Sequence, residues 1–492
     1  MATVSTPSPR LAERMPRGVS LRPSVVGLVT VLLLAPLIGL VASSAELGTI
    51  GIIAAALSLL LIVLWSAEAT FYVLIFSMLL SPEFIVGALA GETANATRGI
   101  TLRLDDYIIV VIALAWLIRL AVYKEAAVFR RTPLNAPIVA YLGFSVIVTL
   151  WGAQAGRLNL LTGFFFVLKY IEYAIIYFLV VNYVRDMNQV RRLLSAVLVT
   201  AIIISIIAIA QIPSGVRVSA PFEGEAGEPN TLGGYLVLIM GLALAFVGEA
   251  KNAKQRTLFV CIAVVMMAPL AYTYSRTSWL AFCAMLSTTI FLSRNKALFL
   301  LMVAVFLVIM VVSPPTALIE RATYTLSSQR NSIEFLGYSI EPSAAARLEA
   351  WVIAAEALSQ YPVFGAGVTG YGLIDAQYPR ILAELGLVGF ALFLWLLWRI
   401  AGTGLRLLQE GKTDMDTVLA KGFLAGFAGL LVHGIGANTF IIVRIMEPMW
   451  LLAGLVGASL LIRERETDAV TASPRGEQGA TEAPLRRGLS PV

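Results

Sequence analysis

Polar chemistry is scarce in this chain. Its 492 residues include one histidine, His433, and two cysteines, Cys261 and Cys283, and only 13% of them are charged. Ordinary globular proteins are charged at about a quarter of their positions. Both cysteines fall inside apolar runs, which argues against a disulfide-stapled secreted scaffold. With a single imidazole and no run of cysteines or carboxylates at ligand spacing, the sequence offers no metal site and calls for no cofactor.

Apolar residues are what it has. The chain is 59% hydrophobic with a mean hydropathy of +0.85. Stretches near membrane-spanning length recur throughout, at 24–43, 48–65, 68–81, 105–123, 135–153, 163–183, 193–212, 231–248, 257–274, 277–293, 297–313, 381–398, 418–436 and 441–462. The expectation is an all-α, polytopic integral membrane protein with about fourteen helices. With the amino terminus inside, 25 Lys and Arg fall in cytoplasmic segments and 10 outside, with Lys169 alone within a span. That asymmetry places both termini in the cytoplasm. The net charge of +6 then reports membrane topology and not a nucleic-acid surface.

Five segments follow: a basic cytoplasmic stretch (1–23), a membrane domain of about eleven helices (24–312), one long extracytoplasmic loop with an amphipathic helix (313–380), about three further helices (381–462), and a polar cytoplasmic tail (463–492) expected to be disordered. The loop is the place to look for function, because loops of that length usually carry a site. Within it, EPSAAARLEAW predicts a helix with Leu348, Trp351, Ala355 and Leu358 on one face, and Arg347 one turn before Trp351. FGAGVTGYG follows, with glycines that suit a flexible connection lying close to a ligand. All ten outer basic residues are arginines, the side chain that grips phosphate oxygens with a planar fork.

Several motifs fall in a recognisable order. They are Ser275-Arg276 in a membrane turn, Arg347 with Trp351, Pro362 with Gly365 and Gly367, Asp375 with Tyr378, and Leu382-Ala383-Glu384 with Gly386 and Gly389. Upstream, an outer segment carries Arg217 and ends in Pro229-Asn230 before a span. Over roughly 215–395 this pattern resembles the O-antigen ligase and polymerase superfamily. The resemblance implies a C-type, metal-independent, inverting membrane glycosyltransferase of the inner membrane. Its donor would be a polyprenyl-diphosphate-linked glycan taken from the outer leaflet of the bilayer, and its acceptor a glycan or a lipid. Chain-length regulators and flippases would be its protein neighbours. Ligases of the family usually carry a His where this chain has Asp375. The Asp-x-x-Tyr form resembles polymerases more, so polymerisation of a surface polysaccharide is the expectation and ligation the alternative.

On that reading Arg276, Arg347 and Asp375 are the catalytic residues, the arginines for the diphosphate and Asp375 for the acceptor hydroxyl. Arg217, Asn230, Trp351, Tyr378, Arg380 and His433 would contact substrate, with His433 as a reserve base. Plainer readings stand beside these. Arg276 fits a snorkelling interfacial residue, Arg347 a solvated helix charge, and Asp375 a helix cap. Glu384 with Arg380, and Lys169 with Glu172, fit intramembrane ion pairs, and His433 fits a structural hydrogen bond. A lipid-linked oligosaccharide flippase or exporter is the rival from another class, although no half-to-half repeat supports it.

Overall fold

A computed structural model describes residues 67–81, 83–87, 100–103, 106–113, 130–215, 217–221, 227–293, 296–312, 333–335, 338–340, 342–372 and 374–472. Long helices dominate: α1 (Ala67–Leu80), α2 (Asn135–Gln154), α3 (Leu160–Tyr183), α4 (Met187–Gln211), α5 (Pro229–Gly248), α6 (Ala253–Tyr272), α7 (Arg276–Leu292) and α8 (Lys296–Val312). After the loop come α9 (Pro342–Gln360), α10 (Gln377–Glu410), α11 (Asp414–His433) and α12 (Val443–Ala472). Two short antiparallel hairpins occupy connections, β1 (Glu83–Gly87) with β2 (Ile100–Arg103), and β3 (Ile333–Phe335) with β4 (Tyr338–Ile340).

Among the described residues eight helices are long and apolar enough to cross a membrane, and three shorter apolar helices cover Glu68–Leu80, Arg276–Leu292 and Phe299–Ile309. Each coincides with an expected span. The expected spans at 24–43 and 48–65 lie outside the described residues, as do the basic amino terminus and most of the one at 105–123. The last helix runs to Ala472, past the expected end at 462. Arg463, expected in a disordered tail, is instead buried, with Nη2 2.8 Å from Asp416 and Nη1 2.6 Å from Glu466 one turn on. Two carboxylate partners explain why the helix continues through so polar a stretch.

Local chemistry sets the helix starts. Asn159, Asp186, Asn252 and Ser275 each cap the following helix by accepting from its first free N–H groups. Thr413 and Asp416 form a capping box at the start of α11. Two helices form the core: 89% of the spanning window of α5 and 94% of that of α12 is buried inside the bundle. Helix α5 is apolar on all sides, as suits a centrally placed helix, and α12 is apolar between Glu447 near its start and Arg463 near its end. Helices α5 and α11 pack backbone to backbone. A Cβ on Gly241 would stand 2.7 Å from Gly426 N, and one on Gly426 would stand 2.5 Å from Leu238 O. Gly422 and Gly426, four apart, thus serve as the small-residue seam that membrane helices favour.

The two ends of this pair differ. At one end Lys421 bonds Glu249 and Lys251 pairs with Asp414, both at 2.7 Å, beside the Asp416–Arg463 contact. This is the end expected to be cytoplasmic. The other end gathers the starts of α5, α7 and α10 and the finish of α11.

Candidate active site at the ends of α5, α7 and α11

The turn between α6 and α7 is the anchor. Tyr274 sits at φ 47°, a left-handed conformation that reverses the chain in three residues. Thr273 Oγ1 donates to Leu270 O at 2.7 Å and accepts from Ser275 N at 3.2 Å, which secures the turn. Ser275 then caps α7, and Arg276 becomes the exposed first residue of that helix. Arg217 reaches the same turn: its Nε donates to Thr273 O at 3.0 Å, while Val218 N donates to Tyr272 O at 3.2 Å. Asn230, in the first turn of α5, accepts from Ser275 Oγ at 2.6 Å.

Arg347 arrives from α9. Its Nε donates to Gly436 O at 2.9 Å, in the turn just after α11. Gly436 itself lies against the first turn of α7, where an added Cβ would stand 2.7 Å from Thr277 Oγ1. Arg217, Asn230, Arg276 and Arg347 therefore meet around the amino terminus of α7, although more than a hundred residues of sequence separate the outermost two.

Asp375 borders this group. Asn438 Nδ2 donates to Ile374 O at 2.6 Å, Gln377 N donates to Gly434 O at 3.2 Å, and Tyr378 OH donates to Leu431 O at 2.6 Å. These bonds bind the residues flanking Asp375 to the finish of α11 and leave Asp375 exposed. Tyr378, expected to contact sugar, spends its hydroxyl on that attachment and packs its ring against the core beside Phe393, so it holds α10 to α11 instead. Trp351 is exposed on α9 one turn beyond Arg347. The face of α9 that carries Leu348 and Trp351 is turned outward, the two side chains 43% and 47% exposed. The buried face is Ala350, Ala354 and Ala357, and its small side chains let α9 lie close on Ala376 and Ala383.

Two expected contacts are corrected. Arg380 points away from the arginine group into the bundle, where its Nε bonds Glu384 Oε1 at 2.9 Å and both side chains are at most 1% exposed. The ion pair anticipated from their spacing accounts for it, and a surface ligand does not meet it. His433 is also fully buried: Nε2 lies 3.2 Å from Ser278 Oγ and Nδ1 2.7 Å from Thr439 Oγ1. With both nitrogens engaged it is not placed to take a proton from an incoming acceptor. Lys169 bonds Glu172 at 3.1 Å as expected, and Asp106 joins them.

The glycine-rich segment does something other than cradle a ligand. Helix α10 is broken at Gly386 (φ 64°, ψ −166°), and residues 362–367 dock into the break. Ala366 N donates to Ala383 O, Gly367 N to Glu384 O, Leu387 N to Pro362 O and Val388 N to Val363 O, at 2.8–3.2 Å. Thr369 N adds a bond to Glu384 Oε1 at 3.0 Å. Four backbone groups at the break are thus satisfied by the loop, which is what lets a membrane helix be broken. Ser278, Thr277, Gly436 and Thr439 were missed from sequence. Ser275 and Ser278, three apart at a helix start, were the available signal for the first.

Such an arrangement defines a class: a polytopic protein with membrane-length helices that gathers Arg217, Arg276 and Arg347 at one end of its bundle. Residues 261–394, which hold Arg276, Arg347, Trp351, Asp375 and Tyr378, match the family described as O-antigen ligase. The match is confined to this segment, and over it the chain is similar to the O-antigen ligase and polymerase superfamily. No curated protein matches the chain.

Proposed function

We propose that this protein is a glycosyltransferase that uses a polyprenyl-diphosphate-linked oligosaccharide at the outer face of the inner membrane to extend a surface polysaccharide. The observation that carries the reading is the meeting of Arg217, Arg276 and Arg347 at the start of α7. As the acceptor hydroxyl attacks the anomeric carbon, the sugar–oxygen bond breaks and its electron pair passes to the diphosphate. Fixed guanidinium charge and the positive end of α7 stabilise that leaving group. Asp375, exposed beside the site, orients the acceptor hydroxyl and takes its proton. Trp351, exposed on α9, offers a flat surface to the sugars.

Ligation is the second reading, favoured by the family description itself. Reconstituting the full chain with a lipid-linked repeat unit separates the two. A ladder of products supports polymerisation, a single transfer to a lipid acceptor supports ligation, and no transfer to either overturns both. In cells, Arg276→Ala or Arg347→Ala should abolish long glycans; normal polymer from a normally expressed variant would remove the arginines from the scheme.

A further inference from the structure

A hydrogen-bonded chain runs inward from the site to the sole histidine. Ser275 Oγ lies 2.6 Å from Asn230 Oδ1, Ser278 Oγ 2.9 Å from Ser275 Oγ, and His433 Nε2 3.2 Å from Ser278 Oγ, with Thr439 Oγ1 2.7 Å from Nδ1. The spacing of serine, imidazole and a third hydroxyl is that of a nucleophile with its base. Burial rules that out here, because Ser278 is 0% exposed and its hydroxyl is spent on Ser275.

Proton counting gives the chain a direction. Ser275 Oγ accepts from Ser278 N at 3.2 Å and from Ser278 Oγ, which fills both its lone pairs. Its own proton must therefore go to Asn230, which meets it with the carbonyl oxygen. Ser278 has then given away its only proton, so His433 donates to it through Nε2–H, and Nδ1 is left to accept from Thr439 Oγ1 at 2.7 Å, a contact much shorter than that hydroxyl's alternative acceptor, Ala437 O at 3.5 Å. Reversing the imidazole tautomer would reverse every bond and turn the other edge of the Asn230 amide toward Ser275.

We infer that His433 is a positioning residue that acts through Ser278 and Ser275 to lock the Asn230 amide with its oxygen inward and its NH₂ available to the diphosphate. This deepens the reading given under Proposed function and rests on it. The fold protects the chain closely. A Cβ on Gly233 would stand 2.1 Å from Ser278 Oγ, and one on Gly234 would stand 3.2 Å from the His433 ring. An amide locked this way adds two neutral donors to a site otherwise built from arginines, and it does so without the entropy cost of ordering a free side chain.

The test is a double-mutant cycle on the full chain in nanodiscs, reading the Kd of farnesyl diphosphate and, in parallel, thermal unfolding. Ser278→Ala and Asn230→Ala should each weaken binding about tenfold, the worth of one hydrogen bond to a charged group. In the Asn230→Ala background Ser278→Ala should cost less than about twofold more, because the residue it positions is gone. His433→Phe should behave as Ser278→Ala does, and Ser278→Ala covers the case in which it fails to fold. Additive losses, or an unaffected Kd in Ser278→Ala beside a weakened one in Asn230→Ala, overturn the inference alone. A wild-type chain that does not bind farnesyl diphosphate overturns it together with the diphosphate reading.

Discussion

Replacing Gly386 by alanine puts the docking of the glycine-rich loop to the test. At φ 64° and ψ −166° this residue occupies backbone space that is essentially closed to side chains. A Cβ there would also stand 2.6 Å from both Gly365 N and Val363 O, backbone atoms that cannot swing aside. The conformation costs an L-residue about 1–3 kcal/mol, and forcing the overlap costs about 1–3 kcal/mol more, so about 2–6 kcal/mol is at stake. The control lies on the same helix. Gly402 has nothing within 4 Å of an added Cβ and lies in regular helix, so Gly402→Ala should stabilise by about 0.5–1 kcal/mol. Thermal unfolding of the two purified variants in one detergent gives the comparison, and glycan transfer shows whether the loop has left its seat. Gly386→Ala should unfold well below wild type and lose transfer, while Gly402→Ala matches or exceeds it. Equal stability and activity for the two would mean that the loop is not held by the broken helix.

Other outcomes follow from the same geometry. Arg347→Lys keeps the charge but not the fork that bonds Gly436 O while facing outward, so transfer should fall about tenfold or more at unchanged stability. Glu384→Ala strands a buried guanidinium and should cost about 3–5 kcal/mol, visible in thermal unfolding, and Arg380→Met combined with Glu384→Leu should recover much of it. Gly426→Leu should separate α5 from α11 and lower expression, since its Cβ would lie 2.5 Å from Leu238 O.

Apolar run length was enough to place the spans. Every helix from α1 to α12 except α9 coincides with a stretch chosen on hydropathy, because in a bilayer the length of an element is set by the solvent itself. The meeting of Arg217, Arg276 and Arg347 was readable only as an order of motifs, since nothing in the spacing of three arginines fixes a distance between them. The Gly386 break was hidden. LAELGLVGF reads as unbroken apolar helix, and the partner that satisfies its freed backbone groups lies some twenty residues upstream. The same glycines at 365 and 367 suggested looseness, whereas they are used for close seating against another backbone. The buried face of α9 was not legible, because alanine carries little weight in an amphipathic pattern, although it is what permits the closest helix contacts.

Arg444, in the first turn of α12, donates to Leu79 O at 2.6 Å, Pro221 O at 2.9 Å and Ser81 O at 3.2 Å while fully buried. Those carbonyls belong to segments made long before α12 leaves the ribosome. Synthesised after both, α12 thus acts as a keystone between them, and a nascent chain stopped short of it holds those earlier segments without the tie that joins them.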